Sequence, residues 1–226
     1  MNLTSRLFIT CIVSLLLILY AAMVYLAIST DYRLTVSSAK RQVVALSSVL
    51  EQHASRTMGE AESILDMTSH HLKEHRLLGF GAEIQPFLWP SAALMRKSPQ
   101  IRNVFLVDAH GKMIANSQST PVTPIYLGDR EYYRYHTTHQ DQASYISVPV
   151  QSRIDGTWLF TITRRVNRPD GSLRMIAGLA IETGYFSRFY QGLDLGGHDG
   201  QVSLIRSDGA ILAGFPASEQ NTAGSQ

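Results

Sequence analysis

The chain is poor in cysteine, in net charge and in catalytic signatures. Its 226 residues contain one cysteine, Cys11, which lies inside an apolar run. The polar remainder therefore has no thiol, no disulfide and no cysteine-based metal site. Twenty Lys and Arg against eighteen Asp and Glu leave a net charge of +2. No basic stripe interleaves with aromatics, so a nucleic-acid partner has no electrostatic footprint. A nucleophile elbow, a P-loop and a defensible carboxylate pair are all missing. No cofactor is implied, and the chain carries no signature of an enzyme. The first proline is Pro86, so no proline interrupts a helix before that point.

What is present begins with Leu7 to Ser29, a stretch without charge, Pro or Gly. As a helix it reaches ~34 Å, enough to cross a hydrocarbon core of ~30 Å. A cleaved signal sequence would have a shorter apolar core, although Ala27-Ile28-Ser29 resembles a cleavage site. The expectation is a transmembrane anchor over 7–29 after a cytoplasmic tail, 1–6. Arg6 precedes the span, and Arg33, Lys40 and Arg41 follow it. The charges thus do not set orientation. The layout of a very short tail and a long polar domain favours an inside N-terminus.

Residues 31–77 read as one long exit helix. Val36, Ala39, Val43, Leu46 and Leu50 recur at helical spacing, and the stripe resumes at Met58, Ala61, Leu65 and Leu72. At ~68 Å this helix is too long for one small core. Part of the stripe is expected on the following sheet and part on a second copy of the chain, giving a homodimer; burial wholly against its own domain is the alternative. His71-Leu-Lys-Glu-His75 formally matches the H-x-x-E-H zinc motif. It lies at a polar helix end with no third ligand in view, so no metal site is assigned.

From residue 101 the pattern changes to period two. Ile101–Val107 and Lys112–Asn116 form a hairpin around Asp108–Gly111. The aromatic segment Tyr126–Tyr135 follows. Tyr145–Val150 alternates, and Thr157–Asn167 sets Trp158, Phe160, Ile162 and Val166 against Thr161, Thr163 and Arg165. Leu173–Glu182 reads as a central strand, and Tyr185–Leu193 as a short amphipathic helix. The expected class is α+β: an antiparallel sheet with helices packed on it.

Val202–Ala213 repeats the spacing of Val104–Ala115 across twelve positions, with Gly209 at the place of Gly111. A second module of the same kind is therefore expected to begin near residue 196. The polar tail after Ala217 holds no element to close a second sheet, so the chain reads as part of a longer protein.

These features together resemble a Cache domain, and more narrowly the double-Cache (PDC-like) sensor region of bacterial transmembrane receptors. The resemblance rests on the anchor, the exit helix, the hairpin VFLVDAHGKMIANS, the DREYY segment, the stretch from Tyr145 to Tyr190 and the second hairpin GQVSLIRSDGAILAGFP. It is strongest to sensors that precede diguanylate cyclases or histidine kinases. It implies a PAS-like membrane-distal sensor module at 78–195, a partial membrane-proximal module at 196–226, and a single-pass location in the bacterial inner membrane with the sensor in the periplasm. Small-molecule sensing is the implied function. A truncated, non-signalling remnant is the alternative, and a membrane-anchored metal-dependent enzyme a more remote one.

Candidate ligand-binding residues are Tyr126, Asp129, Arg130, Tyr132, Tyr133, Tyr145, Ser147 and Arg165. Arg130 offers a planar fork of donors suited to a carboxylate. The tyrosines offer apolar walls with polar tips. An Asp129–Arg130 structural pair with core-edge tyrosines is the competing reading. In amino-acid-binding double-Cache sensors the pocket motif resembles Tyr-x4-Arg-x-aromatic-Tyr, with a later Asp on the ligand amine. Arg130-Glu131-Tyr132-Tyr133 matches its centre. Ile125 stands where the leading Tyr is expected, and Ala180 where the Asp is expected. The resemblance thus implies a carboxylate or other small anion rather than an amino acid.

Overall fold

The computed structural model describes residues 3–74, 98–118, 122–193 and 200–216. Residues 75–97, with His75 of the zinc-like motif, and the tail from 217 are among those that lie outside them. The chain forms two compact units, Met1–Glu51 and Gln52–Gln226.

One helix, α1, runs unbroken from Leu3 to Glu74. The apolar run and the exit helix are continuous, because neither Pro nor a capping signal separates them. It is the one helix among the described residues long and apolar enough to cross a membrane. Val36 and Val43 are exposed in the single chain, whereas Ala61, Ile64, Leu65, Thr68 and Leu72 are buried. In the second unit, polar ties hold α1 to the sheet domain. Glu60 accepts from Ser98 Oγ (2.9 Å) and Gln100 Nε2 (2.8 Å), and Arg164 pairs with both Glu62 and Asp66.

The sheet domain opens with the hairpin β1 (Ile101–Asp108) and β2 (Met113–Asn116). Helix α2 (Glu131–Thr138) and the two short strands β3 (Tyr145–Ile146) and β4 (Val150–Gln151) follow. Long strands β5 (Trp158–Asn167) and β6 (Leu173–Glu182) lead into α3 (Thr183–Gln191). The sheet is antiparallel in the order β2-β1-β6-β5-β3, with β4 also on β5. The apolar β6 is central, as its composition predicts. The aromatic segment is a correction in detail: Glu131–Thr138 is helical, with Tyr132 and His136 buried four residues apart on one face.

A second hairpin, β7 (Val202–Ile205) and β8 (Ile211–Phe215), forms its own two-stranded sheet. Its register reproduces the first hairpin, including the irregularity. Leu106 pairs Ala115 before a shift to Val107–Met113; Leu204 pairs Ala213 before a shift to Ile205–Ile211. Gly111 and Gly209 take φ of 81° and 94°. Only glycine does so at little cost, which is why the repeat preserves it.

Both faces of β5 are largely buried. Phe160 packs towards Phe186 of α3, at 6.1 Å between rings. On the other face Thr161, Thr163 and Arg165 are buried, and α2 reaches Thr163 and Arg165 through His136.

Candidate functional site

The cavity over the second sheet face starts from a strand-like segment that the sequence presents as a loop. Met113 N–H donates to Ile125 O (2.9 Å), and Leu127 N–H to Gly111 O (2.6 Å). This pairing turns Ile125 and Leu127 inward, where both are buried, and Tyr126 outward, where it is 60% exposed. The Tyr126 ring lies against Gly128, whose missing Cβ leaves it room. The chain then enters α2, which buries Tyr132 beside Phe105 at 5.9 Å.

A cavity of about 60 Å³ results, sized for a small organic molecule rather than a drug-sized one. Its floor is a row across three strands, Asn103, Ala180 and Thr161, which the register sets side by side. Phe105 and Leu159 flank that row. Ile125, Leu127, Arg130 and Tyr132 close one side, and Val150 to Ile154 another. The lining among the described residues includes three arginines and no Asp or Glu.

Two of these guanidiniums are already paired. Arg102 binds Asp155 and Glu182. Arg153 holds Asp129 in a two-point contact, Nη1–Oδ1 3.0 Å and Nη2–Oδ2 2.5 Å, and also reaches Tyr126 O. The contact with Arg153 keeps the Asp129 carboxyl below its ordinary range. Arg130 differs. It is half-buried, and its side chain donates from Nη2 to Gln151 O (2.9 Å). Among the described residues no carboxylate pairs with it. Burial, and then the like charge of Arg153, pull its pKa below the usual arginine value. It stays protonated all the same, so the residues lining the cavity include a cation with no carboxylate bonded to it.

Of the eight residues singled out from the sequence, Arg130 and Tyr132 line this cavity. Burial pushes the Tyr132 phenol well above its ordinary value, so it remains neutral. The other six lie outside the lining. Tyr126 faces outward. Asp129 pairs with Arg153 rather than Arg130. The Tyr133 hydroxyl donates to Ala109 O (2.7 Å). The Tyr145 hydroxyl donates to Glu131; burial, then Glu131, push its pKa up to about 12. Ser147 Oγ accepts from Thr161 N (3.0 Å) and Thr161 Oγ1 (3.0 Å). Arg165 donates from Nη1 to His136 O (2.7 Å) and His139 O (2.9 Å), and from Nη2 to Gly171 O (3.1 Å). It is a buried brace for the α2 terminus. Asn103, Thr161 and Arg153 enter the site without having been anticipated. Asn103 shares a strand face with Phe105, so period-two alternation was the available signal.

No group of three or more His, Cys, Asp or Glu able to hold a metal occurs among the described residues. His71 Nδ1 contacts Met67 O at 2.9 Å, within its own helix.

No family model and no curated protein matches the chain. Solved structures do. The extracellular domain of the putative histidine kinase rpHK1S-Z16 is 34% identical, with a TM-score of 0.64; the match covers 76% of this chain and 68% of that one. The chain belongs to the Cache-type extracellular sensor family. Two further sensors share the fold at lower identity. The ligand-binding domain of the Pseudomonas aeruginosa PAO1 amino-acid chemoreceptor PctB, solved with L-Arg, is 16% identical with a TM-score of 0.52, covering 78% of this chain and 68% of its own. That of the Campylobacter jejuni chemoreceptor Tlp3, solved with L-valine, is 15% identical with a TM-score of 0.51, covering 79% and 69%. In this Cache chain the floor position expected to hold an amine-binding Asp is Ala180, inside the cavity.

Proposed function

We propose that the chain is the periplasmic sensing part of a bacterial inner-membrane receptor, and that its ligand is a small carboxylate held by Arg130. The observation that carries this reading is the unpaired Arg130 guanidinium at a cavity without acidic lining. A half-buried cation with no carboxylate bonded to it gains from a bound anion, and an arginine fork matches a carboxylate at two points. The absence of Asp and Glu from the described lining disfavours an ammonium-bearing ligand. Tyr132, Phe105 and Leu159 supply apolar walls for a short carbon body.

The signal follows from position. Glu131, next to Arg130, begins α2, so closure on a ligand moves that helix. The sheet domain is tied to α1 by Glu60 and Arg164, and α1 continues into the apolar run. Two copies pairing along Val36 and Val43 of the exit helix would carry the shift across the membrane. The ligand biases that equilibrium only by its unequal affinity for the two states. The effector is of the histidine kinase or diguanylate cyclase type, the 34% identical relative favouring the former.

The test is a thermal-shift screen of the full chain in detergent micelles against short carboxylates, amino acids and amines. A ligand at one hundred times its Kd raises stability by ~2.7 kcal/mol. A carboxylate hit abolished by Arg130→Ala supports the reading; hits confined to amines or amino acids, and independent of Arg130, overturn it.

A further inference from the structure

The cavity floor carries a second recognition element, Asn103. It is 5% exposed and lines the cavity. Its amide orientation is fixed by its neighbours. The Gln118 backbone N–H donates to Asn116 Oδ1 (2.9 Å), which identifies that atom as the oxygen. Asn103 Nδ2 donates to the same Oδ1 at 3.0 Å. The Asn103 carbonyl oxygen is then left buried with no donor. Such groups are rare in folded proteins, because an unmatched buried acceptor forfeits its hydration.

Thr161, two strands away in the same row, is also acceptor-only. The Ser147 hydroxyl donates to Val148 O (2.9 Å), so it receives the Thr161 proton at 3.0 Å. Ala180 lies between the two and presents only a methyl group. Two floor residues therefore carry acceptor oxygens, Asn103 Oδ1 and Thr161 Oγ1, while Arg130 carries donors. A plain aliphatic carboxylate satisfies Arg130 and leaves Asn103 Oδ1 unmatched. An ammonium group would reach two neutral acceptors, but among three guanidiniums and without an acid in the described lining. A neutral hydroxyl suits both ends.

We propose that the site is selective for a small hydroxycarboxylate, its carboxylate on Arg130 and its hydroxyl donating to Asn103 Oδ1. This deepens the carboxylate reading above and rests on it. Asn103 is then the specificity-determining residue. A site built to pair a ligand hydroxyl discriminates strongly against the analogue that lacks it.

Propionate, lactate and alanine share one carbon skeleton and differ in a single substituent. Titration of the full chain in micelles with each probe separates the cases. Lactate is expected to bind about tenfold more tightly than propionate, and more tightly than alanine. Asn103→Leu, close in volume, is expected to bring lactate down to the propionate level while propionate binding persists. Should that variant fail to melt cooperatively, Asn103→Ser and the ranking of the three probes on the unaltered chain decide. Equal, Arg130-dependent binding of propionate and lactate overturns the hydroxyl preference and leaves the carboxylate reading standing. Preference for alanine, or binding of none of the three, overturns both.

Discussion

Arg206, in the turn of the second hairpin, reaches Glu131 at the first residue of α2, 3.3 Å between Nη2 and Oε1. The same guanidinium donates to Ile146 O (2.6 Å) and sits 5.7 Å from the centre of the Tyr145 ring. The hairpin from the repeat is thereby fastened to the helix that supplies Arg130 and Tyr132. Arg206→Ala should lower stability by about 1–2 kcal/mol, since it strips a half-buried carboxylate of its partner. It should also weaken binding of a carboxylate probe by loosening α2. Denaturant melts with and without the probe separate the two effects.

Arg130→Lys tests geometry against charge. The lysine ammonium keeps the charge but loses the planar fork. Carboxylate affinity should fall about tenfold with little loss of stability, read by calorimetric titration beside a thermal melt. Unchanged affinity would show that Arg130 does not grip the ligand at two points.

Gly178 faces Phe105 across β1 and β6, and a Cβ there would run into the Phe105 ring. That ring flanks the cavity floor. Gly178→Ala should cost about 1–3 kcal/mol through overpacking and reduce probe binding as the ring is displaced. Gly156→Ala is the contrast: no atom crowds that position, and only its φ of 74° resists the change. It should cost about 1 kcal/mol and leave binding intact.

His136 gives the protein an acid-side weakness. It is wholly buried, and its Nε2 meets Thr163 Oγ1 at 3.0 Å. The Thr163 proton is directed to Tyr145 O, so Nε2 carries the imidazole proton and Nδ1 has no partner. Burial holds the pKa down at about 4 from 6.5. Between those values the unfolded chain binds the extra proton and the folded one does not. Stability is therefore full above pH ~6.5 and declines as pH falls towards 4, by about 3 kcal/mol. His136→Phe should flatten that part of the pH profile in equilibrium melts.

The apolar run, the unbroken helix through residue 74, the α+β class, the central β6 and the repeated hairpin were all legible in the sequence. Each is a local pattern: uninterrupted hydropathy, period two, or a glycine where the chain needs positive φ. Arg130 and Tyr132 could be singled out for the same reason, as unusual residues at short spacing. What the tertiary structure decided is who partners whom. Asp129 is adjacent to Arg130 yet pairs with Arg153, and Arg165, on the polar face of β5, is consumed by backbone carbonyls. The β1–β6–β5 register brings Asn103, Ala180 and Thr161 into one row. No local pattern encodes such pairings, because they depend on strand order and on which side of a segment turns inward. The sequence by itself determined the elements and the family likeness; only the packed sheet left, among the described residues, one guanidinium without a carboxylate and one amide oxygen without a donor on residues that line the same cavity.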